Sequence, residues 1–182
     1  MISHLTPFES GFNMPSHIIW PQEFLPGTTD NFVSNEVIVK GITVDQVWQL
    51  LADISKWESY YDNVSRITPP ASGPILEKGD KFSFSTFGFP PLAAEVRESV
   101  APTETTPGRL AWRATQSGDE DTALDVYHAW IVEKLEWGAV RILTQESQIG
   151  KPAAQLAATK PNPMLNGHQD WLDGLVRSAK QL

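Results

Sequence analysis

The stretch that decides the fold is TALDVYHAWIVEKLEWGAVRILTQESQIG, residues 122–150. It contains two runs in which apolar residues alternate with other residues, at 122–135 and 138–150, on either side of the short turn EWG. Because successive side chains of a strand point to opposite faces, each run predicts a β-strand. A turn this short between two strands predicts that they pair antiparallel, as a hairpin.

The same alternation is found earlier in the chain. It predicts strands at 32–41, 81–88, 91–102 and 108–116, and the turn-forming sequences FPP, TETTPG and QSGDED separate the later ones. Consecutive strands joined by short turns form an antiparallel meander. The run at 122–135 is long for a strand, so we expect a sheet of six to seven strands that twists and curves.

Two short helices are predicted after the first strand, within TVDQVWQLLADISKWESYYDNV, residues 43–64. Thr43 followed by Gln46 matches a capping box at the start of the first helix. Apolar residues then recur at the spacing of a helical turn. Ser55 is expected to cap the second helix, which carries Trp57.

The last predicted element is a helix that covers one face of the sheet. Pro152 suits the first turn of a helix, whereas Pro161 and Pro163 are expected to break or kink it. The helix is expected to restart at Asn166 or Gly167. One stripe of the restarted helix then holds His168, Leu172, Leu175 and Ala179. An antiparallel sheet with one solvated face needs a cover on the other, so we expect this helix to pack across the curved sheet and leave a cavity between them.

Residues 1–30 are predicted to form an irregular arm, because they contain four prolines and turn-rich pieces such as PGTTDN. A short strand is expected at HIIW, residues 17–20. The arm could act as a lid over a cavity or as a clamp on the surface. Residues 31–182 are expected to form a single domain.

Composition excludes several classes of function. The chain of 182 residues has a net charge of −8 and a pI near 4.9, which argues against nucleic-acid binding. It has no cysteine, no HxH or HExxH spacing and no phosphate-binding loop, so neither a metal site nor a cofactor is predicted. No stretch resembles a signal peptide or a membrane span, so we expect a cytoplasmic protein, either a monomer or a homodimer.

Five segments carry a resemblance to a known family: VDQVWQLLADISKWESYYDNV, LEKGDKFSF, RLAWRAT, YHAWIVEKLEWGAVRILTQES and HQDWLDGL. Over residues 32–182 the chain resembles the helix-grip (SRPBCC, START-like) superfamily of birch-pollen-allergen-like proteins, in particular its polyketide cyclase/dehydrase branch. The resemblance implies an α+β helix-grip fold, in which a curved antiparallel sheet wraps around a long C-terminal helix. The prolines at 161 and 163 depart from the continuous helix of that family.

Several side chains are predicted to line the expected cavity. If the apolar faces of the strands point inward, Trp112, Trp130, His128 and Glu146 converge there. His128 and Glu146 lie on adjacent strands and could form a catalytic acid–base pair or a buried salt-linked pair; alternatively, Glu146 reaches solvent at the end of its strand. The predicted ligand-binding residues are Trp112, Trp130, Tyr61, Phe84, Ile142, Thr144, His168 and Leu172. Of Tyr60 and Tyr61, one is expected at the cavity mouth and the other exposed.

Three functions follow from this interpretation. The first is binding of a hydrophobic small molecule, aromatic or polyketide- or lipid-like, in the internal cavity; the seven tryptophans favour an aromatic lining. The second is a polyketide cyclase, aromatase or dehydratase that uses the His–Glu pair. The third is a protein-interaction module, similar to co-chaperone domains, that uses an acidic convex face.

Overall fold

The computed structural model describes residues 14–182 and contains one seven-stranded antiparallel sheet. The strands are β1 (Asn31–Lys40), β2 (Val64–Thr68), β3 (Lys81–Thr86), β4 (Leu92–Val100), β5 (Gly108–Gln116), β6 (Leu124–Lys134) and β7 (Ala139–Ile149). Their order across the sheet is β1-β7-β6-β5-β4-β3-β2, so the first strand pairs with the last. The predicted meander and the hairpin of β6 and β7 are therefore confirmed, and the fold is α+β as expected.

Three α-helices accompany the sheet: α1 (Val44–Leu51), α2 (Lys151–Ala158) and α3 (Pro163–Ala179). The predicted break near Pro161 is confirmed, because α2 and α3 are separate helices. The predicted restart at Asn166 or Gly167 is wrong. Asn162 caps α3, its side-chain oxygen accepting a hydrogen bond from Met164 N at 3.0 Å, and Pro163 occupies the first turn, where its missing N–H costs nothing. No described helix is long and apolar enough to cross a membrane.

The capping box at the start of α1 is present as predicted. Thr43 Oγ1 accepts a hydrogen bond from Gln46 N at 3.2 Å, and Gln46 Oε1 accepts one from Thr43 N at 2.8 Å. We expect Thr43→Ala to lower the free energy of unfolding by about 1 kcal/mol, because Gln46 N loses its side-chain acceptor at the start of the helix. Urea denaturation measures this effect, and Thr105→Ala, in an exposed loop, is the matched control. Equal loss in both variants would contradict the role of the cap.

The segment between α1 and β3 departs from the prediction in two ways. The second helix is a 3₁₀ helix, Ile54–Ser59, and it is capped by Asp53 and not by Ser55. Strand β2 follows it and was not predicted; it pairs with β3 through an irregular register. Tyr60 and Tyr61 lie just after the 3₁₀ helix, and both are buried, so the expectation that one is exposed is wrong.

The arm lies against the outer face of the sheet, on the side opposite α3. HIIW, residues 17–20, is not a strand; a single 3₁₀ turn forms at Gln22–Phe24. Trp20 and Phe24 pack on Tyr127 of β6, with ring centroids 5.7 and 5.6 Å away. Arg141 of β7 donates a hydrogen bond to Ser16 O at 2.9 Å. Residues 14–24 therefore clamp the outer face, so the lid alternative is wrong for this part of the arm, and residues 1–13 lie outside the described chain.

This clamp explains why β6 is buried on both faces. Tyr127, Ala129 and Ile131 point outward and form a small apolar cluster with Ile18 and Phe24 of the arm. The residues between them point inward to the main core beneath α3. The central outer face of the sheet is thus covered by the chain itself. A protein-interaction surface on the convex face, which stays a prediction, would have to lie outside this covered region.

Candidate functional site

The register of three central strands places the predicted residues side by side. Trp112 of β5 pairs with His128 of β6, and His128 pairs with Glu146 of β7. Residues directly opposite each other in neighbouring strands share a face, so all three point towards α3. The adjacent row holds Trp130 of β6 and Thr144 of β7. His128, Glu146 and Thr144 are each no more than 5% exposed.

A buried histidine–glutamate cluster forms where α3 crosses these strands. His128 Nδ1 lies 2.9 Å from Glu146 Oε2, and His168 Nε2 of α3 lies 3.3 Å from the same oxygen. The other ring nitrogen of His128, Nε2, is hydrogen-bonded to Thr144 Oγ1 at 2.7 Å. We call His128, Glu146 and His168 the buried triad. Strands β6 and β7 and helix α3 each supply one of its residues.

A chain of hydrogen-bonded side-chain amides contacts Oε1 of Glu146, the carboxylate oxygen that the histidines leave free. Gln148 Nε2 donates to Glu146 Oε1, and Asn31 Nδ2 donates to Gln148 Oε1 at 2.7 Å. Asn162 Nδ2 in turn donates to Asn31 Oδ1 at 2.9 Å. Because Asn162 also caps α3, the helix that brings His168 to the site is tied to the carboxylate that His168 contacts.

Burial and hydrogen bonding set the charge states in the cluster. Burial lowers the pKa of His128 to about 4, although the neighbouring Glu146 partly opposes this shift. Burial alone would raise the pKa of Glu146, but attraction to His128, once that ring is protonated in acid, and hydrogen bonds from both imidazoles outweigh it and hold the pKa below its usual range. At neutral pH, His128 is therefore uncharged and Glu146 is a carboxylate. Among residues 14–182, neither a lysine nor an arginine is paired with Glu146.

Aromatic rings enclose the His128 imidazole on several sides. The ring centroid of His128 is 4.8 Å from Trp112, 5.3 Å from Trp130, 5.6 Å from Trp171 and 4.5 Å from His168. The His168 ring is nearly parallel to it, at 16°. The triad thus sits in an apolar surrounding, where each charge or hydrogen bond interacts more strongly than it would in water.

The space between sheet and helix is filled with side chains, where the sequence predicted a hollow. Trp57 contacts both Trp112 and Trp171, with centroids 5.3 and 5.1 Å apart, and Tyr61 stacks on Trp171 at 4.4 Å. All of these rings are at least 98% buried. A ligand that reaches the triad must therefore displace side chains from their present packing.

Some buried polar atoms in this interior have no protein partner. Trp112 Nε1, Trp130 Nε1 and His168 Nδ1 find no hydrogen-bond acceptor or donor within residues 14–182. Leaving a buried polar group unpaired costs about 1–3 kcal/mol. Three such groups in the interior that holds the triad are unfavourable for a core that serves packing alone.

The remaining predicted ligand-binding residues lie in the same buried core. Phe84 packs edge-on against Trp57 and Trp112, and Tyr61 accepts a hydrogen bond from Asn63 Nδ2 at 2.9 Å; burial raises the pKa of Tyr61. Ile142 and Leu172 are fully buried in the same core, with no polar contact to the triad.

Sequence reasoning missed three members of the site. Gln148 shares a strand face with Glu146, so the alternation could have identified it as a partner. Asn162 could have been found from the Asn-Pro pair that is typical of a helix start. Asn31 gave no signal, because nothing in its local sequence indicates a buried amide. The two histidines and the glutamate come from three separate elements, so a search for local motifs such as HxH or HExxH could not find this cluster.

Comparison with solved structures supports the fold. The 1.88 Å crystal structure of the hypothetical protein jhp0584 from Helicobacter pylori is 51% identical over 91% of this chain and 98% of that one, with a TM-score of 0.86. No protein-family model matches the sequence, and no curated protein matches it either.

Two more distant structures share the helix-grip architecture. A norcoclaurine synthase variant from Thalictrum flavum, solved with a transition-state analogue, is 11% identical over 83% of this chain and 94% of its own length, with a TM-score of 0.56. DynU16, from the dynemicin biosynthetic locus, is 18% identical over 81% of this chain, also with a TM-score of 0.56. This chain spans 46% of DynU16. At such identities the likeness shows the fold alone.

Proposed function

The chain belongs to the same protein family as the Helicobacter pylori hypothetical protein jhp0584, and from the site that this fold builds we propose that it binds a flat, ring-containing small molecule beneath α3. A hydroxyl or N–H group of that molecule donates a hydrogen bond to Glu146. Its ring system lies among the tryptophans. The observation that carries the proposal is the buried triad, with its carboxylate, inside an aromatic interior.

Energetics support binding over a purely structural role. An ionised carboxylate in an apolar surrounding costs several kcal/mol unless it is fully paired, and a packed apolar residue in its place is often neutral or stabilising. Polar groups that weaken a core are typical of binding and catalytic sites. A norcoclaurine synthase variant of similar fold was solved in complex with a transition-state analogue, which is consistent with a small-molecule ligand for this fold.

The route of entry leads past Tyr61. This residue lines a surface cavity of about 310 Å³, and Asn63 lines both that cavity and a second one of about 240 Å³. Tyr61 stacks on Trp171, which contacts His128. Rotation of the Tyr61 ring into solvent would open a path from these cavities to the triad.

Calorimetric titration with three matched probes tests the proposal. Naphthalene has the flat ring system alone, 2-naphthol adds a hydroxyl donor and 2-acetylnaphthalene adds only an acceptor. In EDTA-treated protein we expect 2-naphthol to bind at least about tenfold more tightly than the other two, because only it donates a hydrogen bond to Glu146. Glu146→Gln should remove most of this preference, whereas the exposed control Glu120→Gln should keep it.

Two results would contradict the proposal. The first is a wild-type protein that binds none of the three probes. The second is equal affinity for naphthalene and 2-naphthol, which would mean that the polar cluster plays no part in recognition. Both results come from the wild-type protein, so the test stands even if Glu146→Gln folds poorly.

A second candidate function is proton transfer to or from the bound molecule, as a cyclase or dehydratase requires. The specific observation that favours it is the hydrogen bond of His128 to both Glu146 and Thr144, which fixes the orientation of the imidazole. His128→Gln would then abolish turnover of a poly-β-ketone substrate while leaving binding of 2-naphthol within about threefold.

A further inference from the structure

Three side chains bring metal-ligating atoms close together in the interior. One nitrogen each from His128 and His168 and one carboxylate oxygen from Glu146 lie within 4.8 Å of one another. Two imidazoles and one carboxylate are a ligand set used by zinc enzymes and by non-haem iron enzymes. A site with three protein ligands leaves at least one coordination position for an exogenous molecule.

Two of the three separations between these atoms fall in the range of a coordination sphere. Glu146 Oε2 is 2.9 Å from His128 Nδ1 and 3.3 Å from His168 Nε2. Ligand atoms bound about 2.0–2.1 Å from a metal ion lie about 2.8–3.4 Å from one another in octahedral to tetrahedral sites. Glu146 and each histidine are therefore spaced like two ligands of one ion, and the two imidazole nitrogens lie within 4.8 Å of each other.

Hydrogen bonds from outside hold two of the ligands in the orientation that a metal ion needs. Thr144 Oγ1 contacts the distal nitrogen of His128, which leaves Nδ1 directed at the centre of the triad. Gln148 occupies Glu146 Oε1, which leaves Oε2 for the ion, and Asn31 holds Gln148 in turn. Partners of this kind fix the tautomer of a histidine ligand and the orientation of a carboxylate.

His168 has to turn for its nitrogen to point at the ion. Its ring is stacked nearly parallel to that of His128, whereas a metal ion binds in the plane of an imidazole. His168 Nδ1 has no hydrogen-bond partner in the described part of the chain, so no polar contact of that atom opposes a rotation of the ring.

We propose that His128, Glu146 and His168 bind a divalent transition-metal ion, with Zn²⁺ as the representative. The ion would neutralise the buried carboxylate and would present an open coordination position to the bound organic molecule. The metal site does not depend on the ligand proposed above. It adds a resident ion to the same interior.

Metal analysis and spectroscopy of the full chain test this site. The protein is stripped with EDTA and dialysed, and Zn²⁺ and Co²⁺ are then titrated without any organic ligand. We expect one ion per chain, and visible absorption from bound Co²⁺. Glu146→Gln and His168→Phe, which keep the shapes of the side chains, should weaken Zn²⁺ binding about 100-fold or more. His17→Ala removes an exposed histidine and should leave the affinity unchanged.

A measurement on the wild-type protein covers the case in which these variants do not fold. Zn²⁺ should shift the ¹⁵N resonances of the His128 and His168 rings and leave those of His17 unaltered. A stoichiometry near zero, equal binding in Glu146→Gln, or unshifted His128 and His168 resonances would overturn the proposal and leave a hydrogen-bonded triad. The naphthol titration is run in EDTA and the Zn²⁺ titration without naphthol, so either proposal can fail without the other.

Discussion

Gly174→Ala is expected to lower the free energy of unfolding by about 3–5 kcal/mol, which is a large part of the stability of an ordinary domain. A Cβ atom at this position of α3 would lie 1.9 Å from the carbonyl oxygen of Tyr60. The atom in the way belongs to the backbone, so no side-chain rotation relieves the contact, and α3 has to move away from the 3₁₀ segment. The gain in helix propensity, about 1 kcal/mol, is too small to compensate.

Urea denaturation of Gly174→Ala and of Asp170→Ala, an exposed position on the same helix, measures this effect. A loss below about 1 kcal/mol for Gly174→Ala would show that α3 does not pack on the backbone of Tyr60 as described. Because α3 carries Trp171 and His168, the displaced helix should also shift the near-ultraviolet circular dichroism of the tryptophans in the folded fraction.

Acidification of the metal-free protein is expected to have the second large effect. The pKa of His128 is about 4 in the folded chain, against about 6.5 in the unfolded chain. Between these values the unfolded chain takes up a proton that the folded chain excludes. The stability contribution of His128 is therefore complete above pH 6.5 and is lost as the pH falls towards 4, by about 3 kcal/mol.

Glu146 acts in the same direction at lower pH. Its pKa is held below the usual range in the folded chain, so its contribution is present above about 4.5 and is lost as the pH falls below that value. Other carboxylates add to acid unfolding, so the comparison of variants isolates the site. In EDTA, stability measured from pH 7 to 4 should fall less steeply in His128→Gln than in the wild type or in the exposed control His17→Gln. Identical slopes would contradict the assignment of an uncharged His128.

Much of the sheet could be predicted because its information is local. Alternation and short turns identify β3 to β7, and the three-residue turn between β6 and β7 fixes which residues face one another. For that reason, the placement of His128 opposite Glu146 follows from the sequence. Strand β2 could not be found in this way, because it is short, ends near two prolines and contains an irregularity at Arg66, whose φ is 52°.

The interior was harder to predict than the sheet. Alternation tells which side chains point inward, but it does not tell whether their volumes fill the space beneath the helix. Trp57, Trp171 and Tyr61 come from outside the central strands, and together they fill the predicted hollow. Whether His168 reaches Glu146 also depends on the angle at which α3 crosses the sheet, and no local sequence pattern encodes that angle.

The line of amides that joins Asn162 to Glu146 limits how this site could be transplanted. Grafting the two histidines and the glutamate onto another helix-grip scaffold would supply the donor atoms without the hydrogen-bonded amides that orient the carboxylate. Asn31, Gln148 and Asn162 would have to move with them, along with a helix that begins at the same point above the strands. Thr144, which orients His128, belongs with them, so the smallest portable unit is seven residues and the helix start that aligns them.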